Sequence, residues 1–492
     1  MTWTSTFAES LSSWLRWPSR STTRHVLIGV LIGFSFSLTS TSIALYWQQR
    51  KKDRQPVTHF PPRPIELRSD EVVKGVVGLI GNYLFYRINS LSDALGIEIL
   101  GKAEFLNIGG SVKDRVALQM INDAEREGLI RPYTGSRIFE GTVGSTGISI
   151  ATIARARVAY FVAIIMPDDV AEEKVKALQA LGAEVQKVRP ASIVDKKQYV
   201  NLAKQQASKF GQADIIDEKN LGLNVNHISH TFESPSTSIL VSEAPRHVQF
   251  EANEWNGISG DADQPRGYFA DQFENKSNFY AHYNGTGPEI WRQTSGKIDA
   301  FVAGAGTGGT VAGTGQYLKS MNQDILVAIA DPDGSGLYNK VKYGVMFDRK
   351  ESEGTKRRHQ VDTVVEGIGI NRLTHNIELA LPILDDAFRI TDAEAVAMSR
   401  YLVKHDGLFL GSSSACNLVA CVKLAKQKAW THGKIVTLER VIIPSFGKVL
   451  SWRYIGLKND PSTFRNDEYL RKANIPIDPQ IMEDLLQAKS YS

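Results

Sequence analysis

Cysteine is nearly absent, with only Cys416 and Cys421 in a chain of 492 residues. Two cysteines make neither a disulfide framework nor a metal cluster, and they point to a reducing compartment more than to secretion. Charge of one sign is also scarce. The formal net charge is +4, and no long basic run lies outside residues 50–54, so nucleic acid is a poorly supported partner. No internal repeat stands out. What remains is 42% apolar and 22% charged, the composition of a globular protein long enough for two or three domains.

One stretch lacks charge altogether. Val26 to Trp47, VLIGVLIGFSFSLTSTSIALYW, spans 22 residues, which at about 1.5 Å each match the hydrocarbon thickness of a bilayer. Six of the 22 are Ser or Thr. Arg16, Arg20 and Arg24 precede the span and Arg50, Lys51, Lys52 and Arg54 follow it, with Tyr46 and Trp47 at one boundary, where interfacial aromatics belong. The competing reading is a cleaved mitochondrial presequence drawn from the Arg- and Ser-rich residues 3–24. No small-residue cleavage site follows the span, and PPRP at residues 61–64 speaks against a core helix. The expectation is therefore a targeting segment 1–25, a transmembrane anchor 26–47 and a linker 48–70. The span resembles mitochondrial outer-membrane signal anchors, which would leave the body in the cytosol. An endoplasmic reticulum anchor and import into the mitochondrial interior are the alternatives.

Beyond the linker, β-branched apolar runs alternate with helical patterns. Strands are expected at Glu98–Phe105, Val158–Met166, Ile298–Ala303, Ile325–Ala330 and Lys434–Ile443. Helices are expected at Val112–Glu127, Ala171–Leu181, Asp392–His405 and Asn417–Trp430. Such alternation implies an α/β fold whose parallel sheets are covered on both faces. Thr231–Pro265, rich in Ser, Glu, Pro and Asn, breaks the rhythm and reads as an insertion.

Four motifs sit at strand ends. In NIGGSVKDR, Asn107 to Arg115, Ser111 is placed to cap a helix. Lys113 then falls near the positive end of the helix dipole, where a neutral imine would suit it better than an ammonium. An ordinary surface lysine is the plain alternative. GTVGSTGISIA, Gly141 to Ala151, offers backbone amides to a carboxylate, or is simply a tight turn. GAGTGGTVAGTG, Gly304 to Gly315, lets amides approach a phosphate; it is no P-loop, because no Lys-Ser or Lys-Thr pair follows the glycines. PSFG, Pro444 to Gly447, is on its own an ordinary turn.

Taken in order, the four motifs resemble fold type II pyridoxal phosphate enzymes, and most closely the cysteine synthase (O-acetylserine sulfhydrylase) and cystathionine β-synthase family. GYFADQFEN from Gly267, TGPEIWRQT from Thr286, EGIGINR from Glu366 and GLFLGSSSA from Gly407 extend the resemblance over roughly residues 70–480. It implies two parallel-sheet αβα domains of the tryptophan synthase β-like class within 71–480, the smaller at about 110–220, with the insertion at 231–265 and a tail at 481–492. It implies pyridoxal 5'-phosphate bound as a Schiff base to Lys113, its phosphate held by Gly306, Thr307, Gly308, Gly309 and Thr310, with Ser145 near its ring hydroxyl and Ser445 at its ring nitrogen. Thr142, Gly144, Ser145 and Thr146 would receive the substrate carboxylate.

A serine at the ring nitrogen weakens the electron sink and favours loss of a β-substituent. The implied reaction is β-replacement on O-acetylserine by sulfide through an aminoacrylate, giving cysteine and acetate, without a metal and in a homodimer. A β-eliminating lyase or dehydratase, or a catalytically impaired tethered homologue, would share the same motifs. The chain departs from the family in four places. Tyr83-Leu84-Phe85 follows Asn82 where Thr-Pro-Leu is usual, Ile108 replaces a proline, Ser145 replaces an asparagine, and residues 438–463 make a long lead into FRNDEYL.

Overall fold

The computed structural model describes residues 72–73, 75–210 save 158, 169, 171 and 194, then 264–348, 363, 365, 367–439, 470–471 and 474–488. The expected anchor 26–47, the linker 48–70, nearly all of the insertion 231–265, and Ser445 lie outside the described residues. The chain divides into two compact units, Met1–Arg63 and Pro64–Ser492, and every described residue belongs to the second. Among the described residues no helix is long and apolar enough to cross a membrane.

The α/β expectation holds. Six strands form one sheet in the order β1 (Phe85–Arg87), β2 (Glu98–Lys102), β10 (Lys434–Leu438), β7 (Ala300–Gly304), β8 (Leu326–Pro332) and β9 (Asp386–Ile390). All neighbours pair in parallel except β1, which runs antiparallel to β2. Four strands form a second, all-parallel sheet in the order β5 (Glu184–Val188), β4 (Phe161–Pro167), β3 (Arg137–Gly141) and β6 (Gly267–Phe269). Its last strand thus comes from beyond the insertion.

Strand alternation divides the cores. Ala300, Val302, Ala328, Ala330 and Ile435 pack on one face of the larger sheet, against α7 (Asp392–Asp406) and α8 (Ser412–Gln427). Phe301, Ala303, Val327, Ile329 and Val436 pack on the other, against α6 (Gly309–Met321). The smaller sheet does the same, with Ile138, Ile164 and Tyr268 on one face and Phe139, Ile165 and Phe269 on the other. A period of two with both faces apolar explains why these strands read as nearly unbroken apolar runs.

Element boundaries moved where side chains had work to do. The Glu98–Phe105 run ends as a strand at Lys102 and turns through a short 3-10 segment, Glu104–Leu106, which carries Glu104 inward. The helix expected at Asn417–Trp430 starts five residues earlier, at Ser412, because its serines are buried against the sheet. The strand expected from Val158 starts at Phe161. α1 (Lys113–Arg126) begins with Val112 at the N-cap, so Ser111 stands one residue outside the cap expected of it. Both cysteines are free and buried in α8.

Candidate active site

In open parallel sheets a ligand site forms beyond the carboxyl ends of the strands, where loops meet helix N-termini. Three of the four motifs lie there. The lysine loop leads from β2 into α1. A methyl on Gly109 would fall 2.4 Å from Oδ1 of Asp114, so only glycine lets the backbone pass. Buried Asp114 accepts the Gly109 N–H at 2.6 Å and the hydroxyl of Ser149. Burial raises its pKa, while those two donors pull it back down. Asp114 thereby closes the loop and ties it to α2 (Ser145–Arg157). Ser111 Oγ accepts the Lys113 N–H at 3.3 Å, and the Lys113 side chain is half-buried.

Beneath the loop lies an ionic cluster. Arg115 forks onto both oxygens of Glu104, each at 2.9 Å, and both of Glu289, each at 2.7 Å. Lys102 Nζ meets Glu289 at 2.9 Å. Burial opposes the Arg115 charge, yet the two carboxylates hold its pKa above the ordinary value. Burial likewise works to raise the Glu289 pKa, and Arg115 with Lys102 outweighs it and sets it at about 2. The bulk at Tyr83 is absorbed here: its ring covers the Arg115 guanidinium, 5.2 Å away, and its hydroxyl donates to Asn107 Oδ1 at 3.0 Å.

The second loop runs from β3 into α2. A methyl on Gly141 would lie 2.5 Å from the Val200 Cα. Thr142 Oγ1 accepts the Gly144 N–H at 3.4 Å, and the Thr146 hydroxyl donates to Oε1 of Gln272 at 2.5 Å. Ser145 opens α2, half-buried, and the helical ladder begins only with the Ile148 N–H donating to the Gly144 carbonyl. The amides before it have no partner within the helix ladder, which is the arrangement that suits an anion.

The third loop runs from β7 into α6. Gly308 takes φ +92° at the N-cap, and a methyl there would lie 2.5 Å from Ile377 Cγ1. A methyl on Gly309 would lie 2.2 Å from Asn278 Oδ1, and one on Gly306 would lie 2.8 Å from the Gly367 carbonyl oxygen. Thr307 Oγ1 accepts from Asn278 Nδ2 at 2.9 Å, and Thr310 Oγ1 meets His282 Nε2 at 3.1 Å. No side chain caps α6, and its first turn holds no acid. An uncapped helix start lined by glycines and hydroxyls suits a phosphate. The residues present therefore fit the phosphate end of pyridoxal phosphate.

One segment joins these parts. Gln272 receives Thr146 and, through its carbonyl, Asn278 Nδ2 at 2.8 Å; Asn278 lies in α5 (Ser277–Ala281) and touches Thr307; His282 follows and touches Thr310. Burial lowers the His282 pKa far below its usual value, and Arg115 and Lys113 lower it further, so the imidazole is neutral. Sequence patterns give none of Gln272, Asn278, His282 or Asp114 a role, although GYFADQFEN brackets the first of them. Asp114 likewise lies inside NIGGSVKDR, and Asp271 to Asn278 is polar at every position but Phe273, so nothing local singles these four out. A cavity of about 840 Å³, lined by Glu98, Lys297, Asp299, His432 and Lys434 among others, lies at the opposite, amino ends of the strands and takes no part in this arrangement. Among the described residues no cluster of His, Cys, Asp and Glu could hold a metal.

Comparison with known proteins agrees with this geometry. Residues 76–226 and 247–439 match the family described as "Pyridoxal-phosphate dependent enzyme"; the match skips part of the insertion and stops short of Ser445. "Cysteine synthase 2" of Schizosaccharomyces pombe is 49% identical over 416 residues, covering 85% of this chain and 89% of the relative. "Cysteine synthase 2" of Emericella nidulans is 50% identical over 393 residues, covering 80% and 81%. A Saccharomyces cerevisiae protein, provisionally named a mitochondrial cysteine synthase, is 45% identical over 379 residues, covering 77% and 81%. The crystal structure of O-ureido-L-serine synthase aligns at a TM-score of 0.53 and 22% identity over 79% of this chain and 98% of that one, a likeness of fold. Lysine loop, phosphate loop and extended sequence match agree: the chain belongs to the pyridoxal-phosphate dependent enzyme family.

Proposed function

We propose that the chain is a cysteine synthase that replaces the acetoxy group of O-acetylserine by sulfide. The observation that carries the reading is the convergence of the second and third loops on one segment, Gln272 to His282. The names of the fungal relatives supply the substrate class.

Lys113 Nζ would hold the cofactor aldehyde and, once freed by the substrate amine, would take the proton from the substrate Cα. Gly306, Thr307, Gly308, Gly309 and Thr310 hold the phosphate. Thr142, Gly144, Ser145 and Thr146 orient the substrate by its carboxylate, with Ser145 also toward the cofactor ring hydroxyl and Ser445 toward the ring nitrogen. Neutral His282 donates or accepts a hydrogen bond at Thr310 without adding charge to the phosphate site. When bound, the cofactor supplies the electron sink for the bond broken at Cα. With that sink in place acetate would leave from Cβ, hydrosulfide would add there, and the proton held on Lys113 would return to Cα to give cysteine.

The test is product analysis. Purified protein loaded with pyridoxal phosphate, given O-acetylserine and sulfide, forms cysteine and acetate in equal amounts. Pyruvate and ammonia in place of cysteine would identify a β-eliminating lyase instead.

The same reading places the protein as a homodimer with its body in the cytosol, anchored by Val26–Trp47 in the mitochondrial outer membrane. The uncharged span between basic flanks and the mitochondrial name of the yeast relative support it. Protease treatment of intact mitochondria removes the body if the anchor faces this way; a protected body would indicate import.

A further inference from the structure

Glu140 has none of the roles described above. It lies in β3, immediately before the Gly141–Gly147 loop, and is fully buried at 0% exposure. No donor among the described residues meets either carboxyl oxygen in full hydrogen-bond geometry. Helix α2 packs its apolar body against α1 and α3 (Glu172–Ala180), and α4 (Tyr199–Lys209) closes over β3 with the Val200 backbone against Gly141. An acid shut into such a place is costly unless something uses it.

The neighbouring strand supplies the user. β6 runs beside β3 as far as Ala270, whose N–H donates to the Phe139 carbonyl at 3.0 Å. Asp271 then leaves the strand with φ +50°, its Oδ1 accepting the Glu274 N–H at 3.2 Å and its carbonyl the Asn275 N–H at 2.9 Å. This turn sets the Gln272 side chain and the Asp271 and Gln272 amides toward the Glu140 carboxyl. Burial, with the Asp271 carboxyl beside it, pushes the Glu140 pKa well above the ordinary range against those donors, so the group keeps its proton. A protonated carboxyl still offers its carbonyl oxygen as an acceptor. Gln272 Oε1 already accepts the Thr146 hydroxyl at 2.5 Å, which leaves the Nε2 hydrogens to turn toward Glu140.

We propose that Glu140 is a positioning residue for substrate binding: it is the partner that orients the Gln272 amide toward Thr146 and so sets the Gly141–Gly147 loop for the substrate carboxylate. The proposal rests on the reading that this loop receives that carboxylate. Glu140 acts through Gln272 and takes no part in bond making; Lys113 remains the base.

Full-length holoenzyme is titrated calorimetrically with L-alanine, which has no β-leaving group. Glu140→Met removes the acceptor and weakens L-alanine about tenfold, the upper weight of one neutral hydrogen bond; Glu140→Leu serves as a second apolar variant should the Met variant fold poorly. Glu140→Gln keeps a neutral acceptor and stays within about twofold of wild type. In turnover, the apolar variants raise KM for O-acetylserine by the same factor and leave kcat within about twofold. In a Gln272→Leu background Glu140→Met adds less than about twofold, because the link to Thr146 is already cut. An unchanged L-alanine affinity in the apolar variants, equal weakening by Met and Gln, or the full tenfold loss in the Gln272→Leu background overturns the proposal. Wild-type protein that binds L-alanine and L-alaninamide alike would refute the carboxylate reading of the loop, and the comparison of the variants would still decide the role of Glu140.

Discussion

At the scale of single residues, the decisive feature is how much charge is buried beside the lysine loop and how it is balanced. Replacing Arg115 by Met would leave Glu104 and Glu289 facing Lys102 alone, all three buried. The expected loss is about 3–5 kcal/mol in urea denaturation, the usual cost of stranding a buried charge. Glu289 also sets an acid limit. Its folded pKa of about 2 lies below the ordinary 4.5, so its stabilising contribution is present above that ordinary value and is lost as pH falls toward 2. Asp331, at the end of β8, works the other way. Burial pushes it from 3.8 to about 7, against the Ser335 and Tyr338 hydrogen bonds. The folded chain holds that proton more tightly than the unfolded one, so its contribution is complete in acid and declines as pH rises to about 7. Asp331→Asn keeps an acceptor for the Tyr338 amide and removes this decline. The variant gains on wild type by roughly 4 kcal/mol at pH 8 and little at pH 4, read from denaturation midpoints at each pH.

At the scale of elements, glycines decide whether the third loop can approach a phosphate. Gly309→Ala brings a methyl to within 2.2 Å of Asn278 Oδ1, and Asn278 must then release Thr307. The expected result is a loss of about 1–3 kcal/mol of stability together with at least a tenfold rise in the pyridoxal phosphate concentration needed for half-saturation, followed by absorbance. This loop was legible from sequence, because glycines and hydroxyls after an apolar strand are a local pattern. The partners that align it were not. Asn278 and His282 lie about thirty positions from the loop they contact, and nothing in their spacing announces a contact made only when α5 packs under α6. Boundaries failed for a related reason. Strand β2 stops at Lys102 because Glu104 turns in to meet Arg115, and α8 begins at Ser412 because three serines are buried; both depend on partners distant in sequence. Strand existence survived because alternating faces are both apolar, which is local.

At the scale of the whole molecule, the chain falls into Met1–Arg63 and Pro64–Ser492, and both sheets and all three described loops lie in the second unit. Removing residues 1–63 should leave cysteine formation within about twofold and release the protein from membranes on fractionation; loss of activity with the truncation would give the first unit a part in catalysis. The fold and the family were readable from sequence, since ordered motifs at strand ends constrain an α/β architecture strongly. The central claim is narrower: Lys113 is the residue that carries the cofactor. Borohydride reduction of the pyridoxal phosphate-loaded protein, followed by peptide mass mapping, tests it directly. The account predicts a single reduced phosphopyridoxyl group on the peptide containing Lys113, absent from Lys113→Ala. Attachment to another lysine, such as Lys102 or Lys174, or no attachment at all, would contradict it.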